Sequence, residues 1–88
     1  MTKMNDYDEL ATNIIELIGG QENFVRFTHC MTRLRFNIKD KALVNVAKVE
    51  TMPGVVGSQW ANNQLQIIIG YSVRDVYHLI CKKYGIDE

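Results

Sequence analysis

Cysteine and histidine are scarce in this sequence, and neither sign of charge is in excess. The 88 residues include two cysteines, Cys30 and Cys81, which lie 51 positions apart, and two histidines. A disulfide framework needs closely paired cysteines, and a structural zinc site needs four Cys or His ligands at short spacing. We therefore expect two free thiols and no metal ion.

Long hydrophobic runs and a net charge are also missing. Ten Lys and Arg residues balance ten Asp and Glu residues, so no overall field attracts nucleic acid or an anionic membrane. No apolar run approaches the ~18 residues that span a bilayer, and the polar first residues lack the hydrophobic region of a signal peptide. These features favour a cytoplasmic domain.

The length and the 47% hydrophobic content predict one domain with a single core. We place this domain at residues 7–85, with tails at residues 1–6 and 86–88. A chain this short buries only a modest share of its surface, so an enclosed cavity is not expected. Any chemistry should take place on the surface.

Three segments have the apolar periodicity of helices. The first begins at the capping-box sequence of residues 6–9 and ends at the glycine pair 19–20. The second covers residues 41–51 behind Asp40, and its expected buried stripe is Leu43, Val46 and Ala47. The third begins at Ser72, which opens another capping box, and ends before Gly85.

Four segments are predicted to be strands: residues 23–29, which are rich in β-branched and aromatic residues, residues 32–40, which alternate cleanly, and the pair 55–60 and 64–69 on either side of a turn. In the second strand Leu34 and Phe36 share one parity and should face the core, which places Arg33 and Arg35 on the opposite face. The order is αββαββα. It predicts an α+β two-layer sandwich, in which three helices cover one face of a four-stranded antiparallel sheet.

The segment around Cys30 carries the chemistry. Cys30 lies at the break between the first two strands, and Arg33 and Arg35 follow on one strand face. Residues i and i+2 of a strand lie about 6–7 Å apart, so two guanidinium groups can converge on a phosphate-sized anion. Cations and a nest of backbone N–H groups also lower the pKa of a nearby thiol. The alternative is a solvated strand face beside an ordinary cysteine.

Residues 29–36, HCMTRLRF, resemble the phosphocysteine motif of enzyme IIB domains. These domains belong to the bacterial phosphoenolpyruvate-dependent sugar phosphotransferase system, here its glucose/sucrose/β-glucoside superfamily. Residues 53–57 (PGVVG) and 64–70 (QLQIIIG) are similar to a second signature of the family. The resemblance covers about residues 7–85, and His29 before the cysteine is more similar to the sucrose, β-glucoside or trehalose branch than to the glucose branch.

The resemblance implies a phosphotransferase that needs no cofactor. Cys30 would accept a phosphoryl group from a phosphohistidine of enzyme IIA and pass it to a sugar bound by the membrane enzyme IIC, which would also tether the domain to the membrane. Sugar choice would reside in enzyme IIC. The implied site residues are the nucleophile Cys30, the catalytic Arg33 and Arg35, the phosphate-binding Met31, Thr32 and Gln66, and an auxiliary His29.

Two other functions compete with this interpretation. In a cysteine phosphatase, Cys30 and Arg35 would grip a phosphate ester, but such enzymes carry Cys-x₅-Arg in a loop that enters a helix, and the alternation after Thr32 predicts a strand. An RNA-binding module would use Arg26, Phe27 and the two arginines on a sheet. The zero net charge disfavours that second alternative.

Overall fold

The computed structural model describes residues 3–88, and the chain order of the elements confirms the predicted α+β architecture. The helices and strands are α1 (Lys3–Leu17), β1 (Phe24–His29), β2 (Arg33–Ile38), α2 (Val46–Val49), β3 (Gly57–Ala61), β4 (Gln64–Ile68) and α3 (Val73–Tyr84). Short 3₁₀ turns occupy Gln21–Asn23 and Lys41–Leu43. Within residues 3–88, no helix has both the length and the apolar character to cross a bilayer.

The sheet has the strand order β1-β2-β4-β3, and every neighbouring pair is antiparallel. This order could not be read from the sequence. It places β4 beside β2, so the two strands with polar outward positions are adjacent. One outward row across the sheet consists of Thr28, Arg35, Gln66 and Gln59.

The core lies between the helices and the inward face of the sheet. The inward residues of β2 and β4 are buried as their alternation predicts: Leu34, Phe36, Ile38, Leu65 and Ile67. The Phe36 ring stacks on the Phe27 ring with 4.5 Å between centroids, and Phe27 also contacts Tyr77 of α3 at 4.7 Å. These contacts join helix α3 to the hairpin that carries Cys30.

The first helix begins earlier than predicted. It starts at Lys3, so Asp6 lies inside the helix, and residues 3–6 of the expected tail are helical. Residues 1–2 of that tail lie outside the described residues. At the other end, Ile86 packs against the core and donates its N–H to the Cys81 carbonyl at 2.8 Å, so the expected C-terminal tail is partly docked.

The predicted helix over residues 41–51 is wrong in its extent and in its buried face. Asp40 and Asn45 each cap a separate short turn through their side-chain oxygens, at 3.0 and 3.1 Å, and this splits the segment. Asn45 is held in place because its N–H donates to the Leu17 carbonyl at the end of α1, at 2.8 Å. Of the expected stripe, Leu43 is 56% exposed and Ala47 is exposed, while Val46 is half-buried against the core. Val49 is the buried residue of α2.

The capping box predicted at Ser72 does not form. Ser72 makes no side-chain cap bond, and its hydroxyl accepts a hydrogen bond from the Tyr7 hydroxyl at 3.0 Å. A contact between α1 and α3, 65 residues apart, therefore replaces the local one. Tertiary contacts override a local motif when they satisfy the same polar group.

Candidate functional site

The Cys30 turn, residues 30–32, joins β1 to β2 at one end of the sheet. The Cys30 N–H donates to the Arg33 carbonyl at 2.9 Å and closes the turn. The Thr32 carbonyl accepts two further N–H bonds, from Ile69 at 2.8 Å and Gly70 at 2.9 Å. Gly70 has a φ of 103°, a backbone conformation that favours glycine. The turn is thereby fixed to the end of β4.

The surroundings of the Cys30 thiol favour its ionised form. The backbone N–H of Thr32 is the largest influence that lowers the pKa of Cys30. Partial burial opposes this effect, while the Arg33 N–H and the guanidinium group of Arg35 lower the pKa further. Hydrogen bonds to the charged form and a nearby cation both stabilise a thiolate. The Cys30 thiol is therefore held in a backbone nest that favours its thiolate form.

Cys81 has the opposite environment. It is 2% exposed in helix α3, and burial raises the pKa of its thiol. Both cysteines are free, and Cys30 is the one that reaches the surface. Among the side chains that the structure describes, those of residues 7–88, no three Cys, His, Asp or Glu groups come together as metal ligands.

The two arginines lie on the outward face of β2 as predicted, but their guanidinium groups have different surroundings. The Arg35 guanidinium group lies near enough to the Cys30 thiol for its positive charge to help lower the pKa of that thiol. The backbone N–H of Arg33 also helps to lower the pKa of Cys30. The Arg33 side chain points elsewhere: its Nη1 atom donates to Gln59 Oε1 at 3.0 Å and to Gln66 Oε1 at 2.8 Å. The guanidinium group of Arg33 is thus held by two amide oxygens.

Gln66, which the resemblance implies as a phosphate-binding residue, lies on the outward face of β4, and its Oε1 atom accepts a hydrogen bond from Arg33. Its Nε2 atom donates to Gln64 Oε1 at 2.9 Å. Gln59 was missed by the sequence analysis. Its outward position on a predicted strand was readable, but its nearness to Arg33 depends on β3 lying next to β4, which no local pattern reveals.

His29 supports the turn from the core side. Its Nδ1 atom is 2.9 Å from the Cys30 carbonyl oxygen, and its ring centroid is 4.4 Å from that of Tyr77. Because a carbonyl oxygen only accepts, Nδ1 carries a proton in this bond. His29 therefore orients the backbone of Cys30.

A shallow cleft opens beside the thiol, between the Cys30 turn and the start of α3. Met31 is 83% exposed and Tyr71 is 94% exposed at its rim, and the exposed Arg74 lies on the α3 side. Tyr71 and Arg74 were also missed by the sequence analysis, because they follow β4 and approach Cys30 only in the folded chain.

The geometry does not support the two alternative functions. Arg35 lies within strand β2, not in a loop that leads into a helix, so a phosphatase-type loop around Cys30 is absent from the described turn. Phe27 is 6% exposed and points into the core, where it cannot stack on an RNA base.

Comparison with known proteins agrees with the resemblance of the sequence to enzyme IIB domains. A family model described as the phosphotransferase system EIIB matches residues 12–45. The chain is 45% identical over 83 residues to the β-glucoside-specific EIIBCA component of Bacillus subtilis, covering 94% of this chain and 14% of that protein. It is 41% identical over 84 residues to the sucrose-specific EIIBC component of the same organism, covering 94% of this chain and 18% of that protein.

A solved structure is similar over nearly the whole chain. It is one domain of the phosphotransferase system IIabc component from Clostridium difficile, with a TM-score of 0.84 and 34% identity. The match covers 96% of this chain and 87% of that one. By contrast, this chain spans less than a fifth of the length of the curated relatives described above.

Proposed function

Since this chain belongs to the enzyme IIB family of the phosphotransferase system, we propose that it carries phosphoryl groups in sugar uptake, with Cys30 as the residue that becomes phosphorylated. One observation carries this proposal. The Cys30 thiol lies at the surface among the Thr32 N–H, the Arg33 N–H and the Arg35 guanidinium group, which together lower its pKa. This arrangement suits both a nucleophile and the dianionic group that the nucleophile would receive.

In the first step, the Cys30 thiolate attacks the phosphorus of a phosphohistidine on enzyme IIA. The S–P bond forms and the N–P bond breaks, and the electron pair of the broken bond returns to the imidazole nitrogen. The phosphoryl oxygens keep their charge throughout. Phosphoryl transfer asks the protein mainly for positioning and for stabilisation of those oxygens.

In the second step, a hydroxyl group of the sugar attacks the phosphorus. The O–P bond forms, the S–P bond breaks and the Cys30 thiolate leaves with the electron pair, while the hydroxyl proton passes to a base or to water. The leaving thiolate returns to the same N–H groups and to Arg35, which favour its charged form. The lowered pKa of Cys30 therefore assists its departure as well as its attack.

The remaining proposed site residues surround the phosphoryl group. The backbone of Met31 and Thr32 supplies N–H donors at the turn, and Arg33 and Arg35 supply planar cations on one strand face. His29 assists by holding the Cys30 carbonyl. Gln66 contributes through Arg33, to which it is bonded.

The proposed partners follow from the make-up of the relatives. The relatives are named as EIIBC or EIIBCA components specific for β-glucosides, sucrose or trehalose. We infer a donor of the enzyme IIA type, a membrane enzyme IIC that binds the sugar, and a substrate of this sugar class. Attachment to enzyme IIC would hold this domain at the cytoplasmic side of the membrane.

The test is phosphoryl labelling by the A domain of the Bacillus subtilis β-glucoside component, supplied in its phosphorylated form. We expect intact-protein and peptide mass spectrometry to find one phosphoryl group, located on Cys30. Cys30→Ala should abolish the label, and Cys81→Ala serves as the matched control that keeps it. A label on Cys81, or undiminished labelling of Cys30→Ala, would overturn the proposal.

A further inference from the structure

We infer that Gln59 and Gln66 are positioning residues, which hold the guanidinium group of Arg33 so that one defined edge of it is left for the phosphoryl oxygens. This inference rests on the proposed function. The two glutamines lie on neighbouring strands, β3 and β4, and are paired in register. Their amide oxygens meet at a single nitrogen atom of Arg33.

The hydrogen bonds that Arg33 makes show which edge of its guanidinium group is left for the phosphoryl oxygens. A guanidinium group has five N–H donors in a rigid plane, and two of them are on Nη1. Gln59 and Gln66 engage Nη1, at 3.0 and 2.8 Å. The Nε–H and the adjacent Nη2–H form a second pair of parallel donors, which lies along a different edge of the guanidinium group. This pair matches two oxygens of a phosphoryl group.

The orientation of the amides is dictated by Arg33. Because arginine has no acceptor, the oxygen of Gln66 must face it, and the Gln66 nitrogen then faces the other way. That nitrogen donates to Gln64 Oε1 at 2.9 Å, and the Gln64 nitrogen donates to Asn37 Oδ1 at 3.0 Å. A directed chain of amides thus runs along β4 and onto β2, and it supports Gln66 in the orientation that Arg33 requires.

The choice of glutamine preserves the charge at the site. A carboxylate in place of either amide would bind the guanidinium group more tightly but would cancel its positive charge. No Asp or Glu occupies strands β1–β4. Neutral amide oxygens therefore restrict the motion of Arg33 while its charge remains available to an anion.

A double-mutant cycle tests the inference with phosphorylated enzyme IIA as donor and rapid-quench detection of phosphorylated Cys30. We expect Gln59→Leu and Gln66→Leu to lower the maximal transfer rate by ~10- to 100-fold, because misplacing a group by about 1 Å has effects of this size. The donor concentration at half-maximal rate should stay unchanged. In an Arg33→Ala background, the same glutamine substitutions should have no further effect.

Controls separate positioning from folding. Gln21→Leu is the matched variant, because Gln21 donates to the Tyr84 carbonyl at 2.9 Å, outside the Cys30 site; it should transfer at the wild-type rate. Gln66→Glu keeps an oxygen acceptor for Arg33, so it should fold normally yet transfer slowly because the charge is cancelled. Thermal melts of every variant identify any that fail to fold.

A second measurement does not depend on the variants. In ¹⁵N NMR of the wild-type protein, the Arg33 Nε–H signal should shift when Cys30 becomes phosphorylated, since that edge would receive the oxygens. An unshifted signal would overturn the inference.

The possible failures are distinguishable. If wild-type Cys30 is never labelled, the proposed function fails, and this inference fails with it. If wild type is labelled and the glutamine variants transfer at its rate, only this inference is overturned. If the glutamine substitutions remain equally harmful without Arg33, the glutamines act directly on the phosphoryl group or on the fold, and positioning through Arg33 is refuted.

Discussion

Replacing Asn23 by alanine should destabilise the domain without changing the chemistry at Cys30. Asn23 is 4% exposed and lies at the end of the β1–β2 hairpin opposite to the Cys30 turn. Its Nδ2 atom donates to the Ile18 carbonyl at 2.7 Å and to the Asp40 carbonyl at 3.0 Å, and its Oδ1 atom accepts from the Asp40 N–H at 2.9 Å. One side chain thus joins the end of α1 to the end of β2.

The expected loss in free energy of unfolding follows from the three backbone groups that lose a hydrogen-bond partner in Asn23→Ala. A buried polar group without a partner costs about 1–3 kcal/mol, and the Ile18 carbonyl is the buried one of the three. The two Asp40 groups are partly exposed, so water can replace the amide at lower cost. We expect Asn23→Ala to lower the free energy of unfolding by about 2–4 kcal/mol. Small domains have only about 5–15 kcal/mol in total.

Urea denaturation measures this change. With a slope of about 1 kcal/mol per molar urea, the midpoint should fall by about 2–4 M while the slope stays constant. Asn45→Ala is the matched control, because Asn45 makes one exposed capping bond and should cost only ~1 kcal/mol. An equal loss in both variants, or a loss below 1 kcal/mol for Asn23→Ala, would refute the reasoning. The folded fraction of Asn23→Ala should still be labelled at Cys30.

Three further predictions concern the site. The rate at which iodoacetamide alkylates Cys30 should rise with pH at a midpoint below that of an ordinary thiol, because the pKa of Cys30 is lowered in the folded protein. Cys81, whose pKa is raised by burial, should react slowly and at higher pH. Equal pH profiles in the two single-cysteine variants would contradict this prediction. Arg35→Gln should raise the pKa of Cys30 in the same assay, while Arg33→Gln, which keeps the backbone N–H, should leave it nearly unchanged; equal shifts would show that the side chains are equivalent. Arg33→Lys and Arg35→Lys should each slow transfer by ~100-fold in rapid-quench measurements, while thermal melts show both variants still folded; wild-type transfer would show that the arginine pair is a solvated face.

Local periodicity determined which residues face the core of the sheet. The alternation from Arg33 to Ile38 and from Gln64 to Ile68 places every second side chain on one face, because side-chain direction in a strand depends only on position. The shared outward face of Arg33 and Arg35 follows from the same rule. The thiol with lowered pKa was also predictable, since the turn residues and Arg35 are close to Cys30 in the chain.

Helix ends and short helices were less predictable from the sequence. Ser72 has the residues of a capping box, yet Tyr7 takes its hydroxyl, because one polar group bonds to whichever partner packing brings close. Residues 41–51 divide into two turns because Asn45 is fixed by the Leu17 carbonyl of another element. In both places, a contact distant in sequence decided which local structure forms.

The composition of the Cys30 site beyond its own turn was decided by tertiary structure alone. The sequence by itself determined a cysteine with two arginines beside it, because these residues lie within six positions on one hairpin. Only the strand order β1-β2-β4-β3 brings Gln66 and Gln59 to Arg33. Strand order depends on which edges pair across long separations, and that outcome depends on how the whole core packs, which no local residue pattern encodes.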